Sequence, residues 1–203
     1  MMENVEMYKV VRGGNFTPDN SYSMDRLHLK IATWMDNYTG ILICDVDGCI
    51  RNGKHRLSLL PALGEVEAAG DTPNIAFHKF NEMCHLDEPM FDVINVANMF
   101  KAQGYFTIIL TSCTHSQHTL DTLLGQLLEW GVAHDVVVMR GKDNHLHPVE
   151  FKKMFLHDSG IVEYNGNVTA LDDCIDNCNK FREYNILALQ IEDYTRFNKG
   201  DTK

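Results

Sequence analysis

Residues Ile41-Leu42-Ile43-Cys44-Asp45-Val46-Asp47-Gly48 pass from four apolar side chains straight into Asp-x-Asp-Gly. A continuous apolar run that stops abruptly at charge reads as a central parallel strand, and the carboxyl end of such a strand is where open α/β sheets bind ligands. Alternation along extended chain turns Asp45 and Asp47 the same way, so both can face one cation. The competing reading is a pair of solvated turn aspartates. The later apolar runs weigh against it.

Thr107-Ile108-Ile109-Leu110 ends in Thr111-Ser112-Cys113, which places a hydroxyl at a second strand end. Val168-Thr169-Ala170-Leu171 ends in the carboxylate pair Asp172-Asp173, and Pro148-Val149-Glu150-Phe151-Lys152-Lys153 offers a cation early in a helix. In this order the four elements resemble the four motifs of the haloacid dehalogenase (HAD) superfamily of phosphotransferases. The resemblance covers residues 41 to 192. Within the superfamily, Asp45-Val46-Asp47-Gly48, Val138-Met139-Arg140, Phe151-Lys152 and Ala170-Leu171-Asp172-Asp173 are most similar to the 3′-phosphatase domain of polynucleotide kinase and its phage-type relatives. Those relatives usually carry an arginine soon after the second-motif hydroxyl and another after the final Asp-Asp. Here Cys113 and Cys174 stand in those places, and Cys49 replaces a common threonine. Arginine is the residue best suited to bidentate phosphate contacts, so fewer such contacts to a polynucleotide end are expected.

The resemblance implies an α/β fold: a HAD-like Rossmannoid three-layer sandwich with a central parallel sheet and a small, flap-like cap insertion. It also implies a Mg²⁺-dependent phosphomonoesterase that works through an aspartyl-phosphate. Asp45 would be the nucleophile, and Asp47 would protonate the leaving oxygen and then take a proton from water. Thr111, with Ser112, would hydrogen-bond the phosphoryl oxygens, and Lys152 rather than Lys153 would cancel charge. Mg²⁺ asks for about six oxygen ligands, several of them water. Asp45, Asp47 through its carbonyl, and Asp172 or Asp173 would meet that need, the last choice being left open. Arg140 and Lys142, with His145 and His147, either contact a nucleotide phosphate or sugar or form a solvated loop.

At 203 residues and 44% apolar content, the chain suits one domain with appendages. Eighteen basic against twenty-eight acidic residues give a formal charge of −10, and no basic run stands out. A groove for long nucleic acid is therefore not expected, whereas a mononucleotide or short end is. The cysteines at 44, 49, 84, 113, 174 and 178 lack the spacing of a secreted disulfide framework, and the N-terminus shows no signal-like pattern. A cytoplasmic protein with reduced thiols is expected, without a membrane span. Cys49, Cys113 and Cys174 each follow a motif, so a zinc or redox rim is weighed against small semi-buried filler.

Residues 1–38 read as an N-terminal arm followed by a helix, Ser23 to Asn37, carrying Met24, Leu27, Ile31, Trp34 and Met35 at helical spacing. The irregular stretch 51–88 reads as the cap-like insertion. Its Phe77, His78, Phe80, Asn81 and His85 are candidates for base or sugar contacts, or for packing within the flap. From there the pattern alternates: helix Pro89 to Gln103, strand Tyr105 to Leu110, helix Thr114 to Trp130 with Leu120, Leu123, Leu124, Leu127 and Leu128 inward, then strand Asp135 to Met139. Helix Pro148 to Leu156, strand Val168 to Leu171, helix Ile175 to Tyr184 and strand Ile186 to Ile191 follow, before a polar tail over 196–203. Such alternation calls for a parallel sheet with right-handed crossovers.

The expected function is removal of phosphate from a nucleotide or a nucleic-acid 3′ end. The alternatives are a 5′-(deoxy)nucleotidase, favoured by the acidic charge, and a non-catalytic nucleotide- or partner-binding protein. No Gly-x-x-x-x-Gly-Lys-[Ser/Thr] loop is present, which excludes a kinase of that type. Oligomeric state is not legible.

Overall fold

The computed structural model describes residues 6–12, 21–22, 37–70 and 72–191. Its strands are β1 (Tyr8–Arg12), β2 (Ser21–Tyr22), β3 (Gly40–Cys44), β4 (Arg51–Asn52), β5 (Glu88–Pro89), β6 (Tyr105–Thr114), β7 (Val136–Arg140), β8 (Asn167–Asp172) and β9 (Leu187–Gln190). The helices are α1 (Leu63–Ala68), α2 (His78–Glu82), α3 (Phe91–Ala102), α4 (Gln117–Glu129), α5 (Pro148–Asp158) and α6 (Ile175–Glu183). The main sheet runs β2-β1-β7-β6-β3-β8-β9. Neighbours from β7 to β9 pair in parallel, and β1 closes the other side antiparallel to β7.

The apolar run at 41–44 sits at the heart of this sheet because both its faces are covered. Ile41 and Ile43 pack with Phe151, Phe155 and Phe181 in the layer holding α5 and α6, while Leu42 and Cys44 pack with Ile94, Leu120 and Leu123 under α3 and α4. Burying each such aliphatic side chain contributes about 1.5–3 kcal/mol, which fixes the register of β3 against both neighbours. The backbone pairing continues one residue further, with Asp45 N–H donating to Leu171 O at 2.9 Å. That last bond places the first carboxylate in the middle of the sheet's carboxyl edge.

Several boundaries differ from the sequence reading. Residues 8–12 form a sheet strand rather than loop-rich arm, since Val10 and Val11 fall into opposite core layers. Pro89 belongs to a short ribbon with Arg51, and the helix begins at Phe91. The second motif strand continues through Thr114 over an irregular register between Thr111 and Thr114. Helix α4 starts after Ser116, whose hydroxyl accepts the Thr119 N–H, a hydrogen-bonded N-cap. On that helix Leu120, Leu123 and Leu127 face inward, but Leu128 is 84% exposed because it falls on the outer side of the turn. The expected helix over 23–37 and the polar tail over 196–203 lie outside the described residues.

Residues 51–88 leave and return at one point, where Arg51-Asn52 pairs antiparallel with Glu88-Pro89. Between these strands lie 3-10 turns at Lys54–Leu59, Pro73–Phe77 and Met83–Leu86 and the short helices α1 and α2. This flap is small, and it hangs beside the carboxyl edge of β3.

Candidate active site

Three carboxylates from two adjacent strand ends converge at that edge. Asp45 follows β3, Asp172 ends β8 and Asp173 comes next, all buried, with ligand oxygens within 4.8 Å of one another. Lys152, in the second turn of α5, reaches across from the helical layer. Its Nζ donates to Asp45 Oδ1 and Asp172 Oδ2, each at 2.6 Å. Asp172 Oδ1 accepts from the Cys174 N–H and from the Asn177 amide, both at 3.0 Å. Gly48 makes the approach possible. It has a φ of 81°, and a Cβ there would collide with the Asp173 carboxylate.

Opposing charges set the state of this cluster. Burial pushes the Asp45 carboxyl well above its ordinary range, Lys152 pulls it back, and Asp172 and Asp173 push it up again. Burial also works against the Lys152 ammonium, but Asp172 and Asp45 outweigh it and hold the lysine above its usual value. Carboxylates gathered in a low-dielectric pocket favour a nearby positive charge, which Lys152 supplies to two of the three. The donors are all hard oxygens, the set that suits Mg²⁺ rather than zinc.

The side chain of Asp47 is held apart from the trio, which is compatible with the expectation that Asp47 meets an ion through its carbonyl. Its carboxylate is absent from the three-carboxylate group and is drawn instead to two arginines of the flap. Arg51 Nε donates to Asp47 Oδ1 at 2.9 Å, and Arg56 Nη2 donates to the same oxygen. Burial alone would raise the Asp47 carboxyl, yet Arg51 and Arg56 together hold it well below the usual carboxylate range. A metal contact from Asp47 is thereby left to its backbone carbonyl. Both arginines are also held by Asp87, with Arg56 Nη2 at 2.6 Å and Arg51 Nε at 3.2 Å from Oδ2. Arg51 Nη1 bonds Gln126 at 3.2 Å, tying the flap to α4. The side chain of Asp47 is 28% exposed and faces a narrow pocket walled by Gly48, Arg56, Leu57 and Phe80.

Thr111 is buried, and its Oγ1 accepts the Cys113 N–H at 3.0 Å, shaping the irregular end of β6. The Ser112 hydroxyl is buried without a hydrogen bond among the described residues. Arg140 is buried at the end of β7, where Nη1 donates to Leu146 O at 2.8 Å and Nε has no hydrogen-bond partner among the described residues. Burial holds its guanidinium below the ordinary arginine value. Lys142 is exposed and lines the cleft under the flap, so it is separated in role from Arg140. Lys153, one residue past the buried lysine, pairs at the surface with Glu150 at 3.2 Å.

The thiols give no zinc rim. Cys49 and Cys113 are packed into the apolar layer under α3 and α4, where burial pushes the Cys49 thiol far up and that of Cys113 to about 12. Among the described residues the only group of three or more potential ligands is the aspartate trio. Arg51 and Arg56 are the residues that sequence reasoning missed. Asp47 lies only four and nine positions before them, but the carboxylate that fixes both arginines, Asp87, stands thirty-six and thirty-one positions away and leaves no local signal.

No family model and no curated protein matches the chain. Among solved structures, a chain of the Pnkp1/Rnl/Hen1 complex is similar at a TM-score of 0.53 and 19% identity, over 77% of this chain and 47% of that one. A chain of the Pnkp1/Rnl/Hen1 RNA repair complex gives 0.52 and 19%, over 77% and 43%. This chain thus spans less than half the length of those two. A HAD family enzyme from Bacteroides thetaiotaomicron, in complex with magnesium, reaches a TM-score of 0.44 at 12% identity, over 80% of this chain and 98% of that one, too loose to carry an argument. These likenesses bear on fold alone, a mostly parallel sheet between helical layers.

Proposed function

We propose that this chain is a Mg²⁺-dependent phosphomonoesterase acting on a nucleotide or a nucleic-acid 3′ end through an aspartyl-phosphate. The observation that carries the reading is the Lys152 bridge between Asp45 and Asp172 inside a buried trio of carboxylates. Phosphoryl transfer needs fixed charge, a nucleophile and a cation together, and carboxylates at two adjacent strand ends bridged by a buried lysine supply the first two and a seat for the third. Bound at Asp45, Asp172 and Asp173, with the Asp47 carbonyl, Mg²⁺ would neutralise the phosphoryl oxygens and leave Asp45 free to attack as an anion.

The chain's own residues divide the remaining work. Asp45 attacks phosphorus, and the P–O bond to the leaving group breaks as the Asp45–P bond forms. Thr111 and Ser112 donate to the phosphoryl oxygens, and Lys152 keeps Asp45 aligned. Asp47, held ionised by Arg51 and Arg56, is ready as it stands to take a proton from the water that attacks the aspartyl-phosphate. To act first as an acid it must gain a proton. An entering phosphate dianion offers both arginines a competing bidentate partner, and drawing them off lets the Asp47 carboxyl rise.

A phosphate-release screen with Mg²⁺ across 3′- and 5′-mononucleotides, 3′-phosphorylated oligonucleotides and sugar phosphates tests the reading. Release from the 3′ substrates supports it. A 5′-nucleotidase would show the reverse preference, a reading favoured by the charge of −10 and by cysteines at 113 and 174. No release from any substrate, with nucleotide binding retained, would mark a binding protein.

A further inference from the structure

Arg140 ends β7 only 6% exposed, and among the described residues no carboxylate meets its guanidinium. Nη1 donates to Leu146 O at 2.8 Å, whereas Nε is buried with no hydrogen-bond partner among the described residues. The ionisable group it feels is the Cys113 thiol, which burial keeps uncharged. A buried cation with no counter-charge and an open donor is unfavourable, and an anion that takes the donor relieves both. Other buried polar atoms left open have a neighbour of their own: those of Glu6 and His115 face each other at 2.5 Å, and Asn177 already holds Asp172.

The bond to Leu146 sets the guanidinium two residues before α5, at the end of that eleven-residue helix where free N–H groups and the positive pole of its dipole gather. Glu150, the acidic residue of the first turn, pairs at the surface with Lys153. The same helix carries Lys152 to the nucleophile, Nζ bonding Asp45 at 2.6 Å. From Pro148 to Lys152 the helix rises about 6 Å. The sheet ties the two places together independently. Strand β3 pairs in parallel with β6 and β6 with β7, Thr114 lying opposite Arg140. Asp45 and Arg140 therefore leave one carboxyl edge two strand spacings of about 4.8 Å apart. A phosphate carried on the far side of the sugar from the one attacked would span such a step.

We infer that Arg140 and the start of α5 form a subsite for a second phosphate, the one on the 5′ carbon of the nucleotide whose 3′ phosphate is removed. The inference rests on the 3′-phosphatase reading above and deepens it. Arginine takes a phosphate through two parallel N–H bonds. With Nη1 fixed on Leu146, the edge formed by Nε and Nη2 is the one left to make them. That fork fixes position as well as charge, which a lysine does not match. A terminal 5′ phosphate and the phosphodiester of a strand end present the same oxygens there. One such contact, and not a row of them, accords with a net charge of −10.

The test compares kcat/KM with Mg²⁺ on thymidine 3′-phosphate, thymidine 3′,5′-bisphosphate and a thymidine dinucleotide ending in a 3′ phosphate. The bisphosphate, the dinucleotide or both should exceed the monophosphate by about tenfold, the scale of one charge-assisted contact. A gain for one alone tells whether the subsite takes a terminal phosphate or a diester. Arg140→Gln should bring the ratio close to one, and Arg140→Lys should keep a smaller preference through charge without the fork. Each ratio is taken on a single preparation, so a variant that folds only in part still reports it. Equal use of all three substrates by the parent, or a preference that survives Arg140→Gln whatever the absolute rates, overturns the inference. Titration calorimetry of the parent with the monophosphate and the bisphosphate separates the two failures. Release without any preference sinks the subsite and leaves the phosphatase standing; tighter binding of the bisphosphate by about tenfold, with no release from any substrate, does the opposite.

Discussion

Lys152 carries more of the site than any other single side chain, because its ammonium bridges two of the three buried carboxylates, Asp45 and Asp172. Lys152→Met should destabilise the fold by about 3–5 kcal/mol, the usual cost of removing one partner from a buried ionic group. Urea unfolding with and without Mg²⁺ checks this: the ion should restore part of the loss, and a variant as stable as the parent would mean the trio is protonated. Asp45→Asn is the opposite case, since an amide removes charge from a crowded site. The variant should stay folded by circular dichroism while phosphate release drops by at least about a thousandfold, as expected for loss of a nucleophile. Asp47 has its own acid signature. Its folded carboxyl is held below the ordinary value of about 3.9 by the two arginines, so the stability it supplies is complete above that pH and is lost as pH falls through the lower folded value. Asp47→Asn should therefore flatten the fall of stability below about pH 4, and parallel acid-unfolding curves would contradict the pairing.

Among the elements, the flap is held by an electrostatic knot rather than by a core. Arg56 bonds Asp87 through Nε at 2.8 Å and Nη2 at 2.6 Å, and Arg51 joins the same carboxylate at 3.2 Å. Asp87→Ala would leave two buried guanidinium groups short of a counter-charge across the base of the flap. Limited proteolysis within residues 53–82 should accelerate at unchanged global stability of the sheet, and KM should rise more than kcat falls. An unchanged cleavage rate would show that the β4-β5 ribbon alone closes the flap. Elements built on periodic apolar residues were legible: β3, β8 and α5 lie within two residues of where the apolar runs place them. Strand β1 was not, because only three of its five residues are apolar and its partner β7 is more than a hundred residues away.

For the whole molecule, a net charge of −10 governs encounters with nucleic acid. Few phosphates beyond the one cleaved should be neutralised, and each single-strand phosphate contacted adds about −0.7 to the slope of log affinity against log salt. kcat/KM on a mononucleotide should thus lie within roughly tenfold of that on a 3′-phosphorylated oligonucleotide and change little below physiological salt. Measuring both substrates at two salt concentrations decides it. A hundredfold preference for the oligonucleotide that collapses with salt would reveal a backbone groove around Arg140 and Lys142. No described helix is long and apolar enough to cross a membrane.

The sequence by itself determined the parallel strand order of chemistry, from Asp45 through Thr111 and Lys152 to Asp172-Asp173, because each group is tied to an apolar run whose burial fixes where its strand or helix ends. Between Lys152 and Lys153 it did not choose by itself; the apolar-Lys pattern of the resemblance pointed to Lys152, and the structure buries Lys152 beside Phe151 and Phe155. Only the tertiary structure decided that Asp47 turns from the trio to Arg51 and Arg56 and that Cys49 and Cys113 are packing. Those outcomes depend on how the flap folds back over the sheet edge. Its contacts join residues far apart in the chain through charge and hydrogen bonds, which leave no periodic trace in the residues between them.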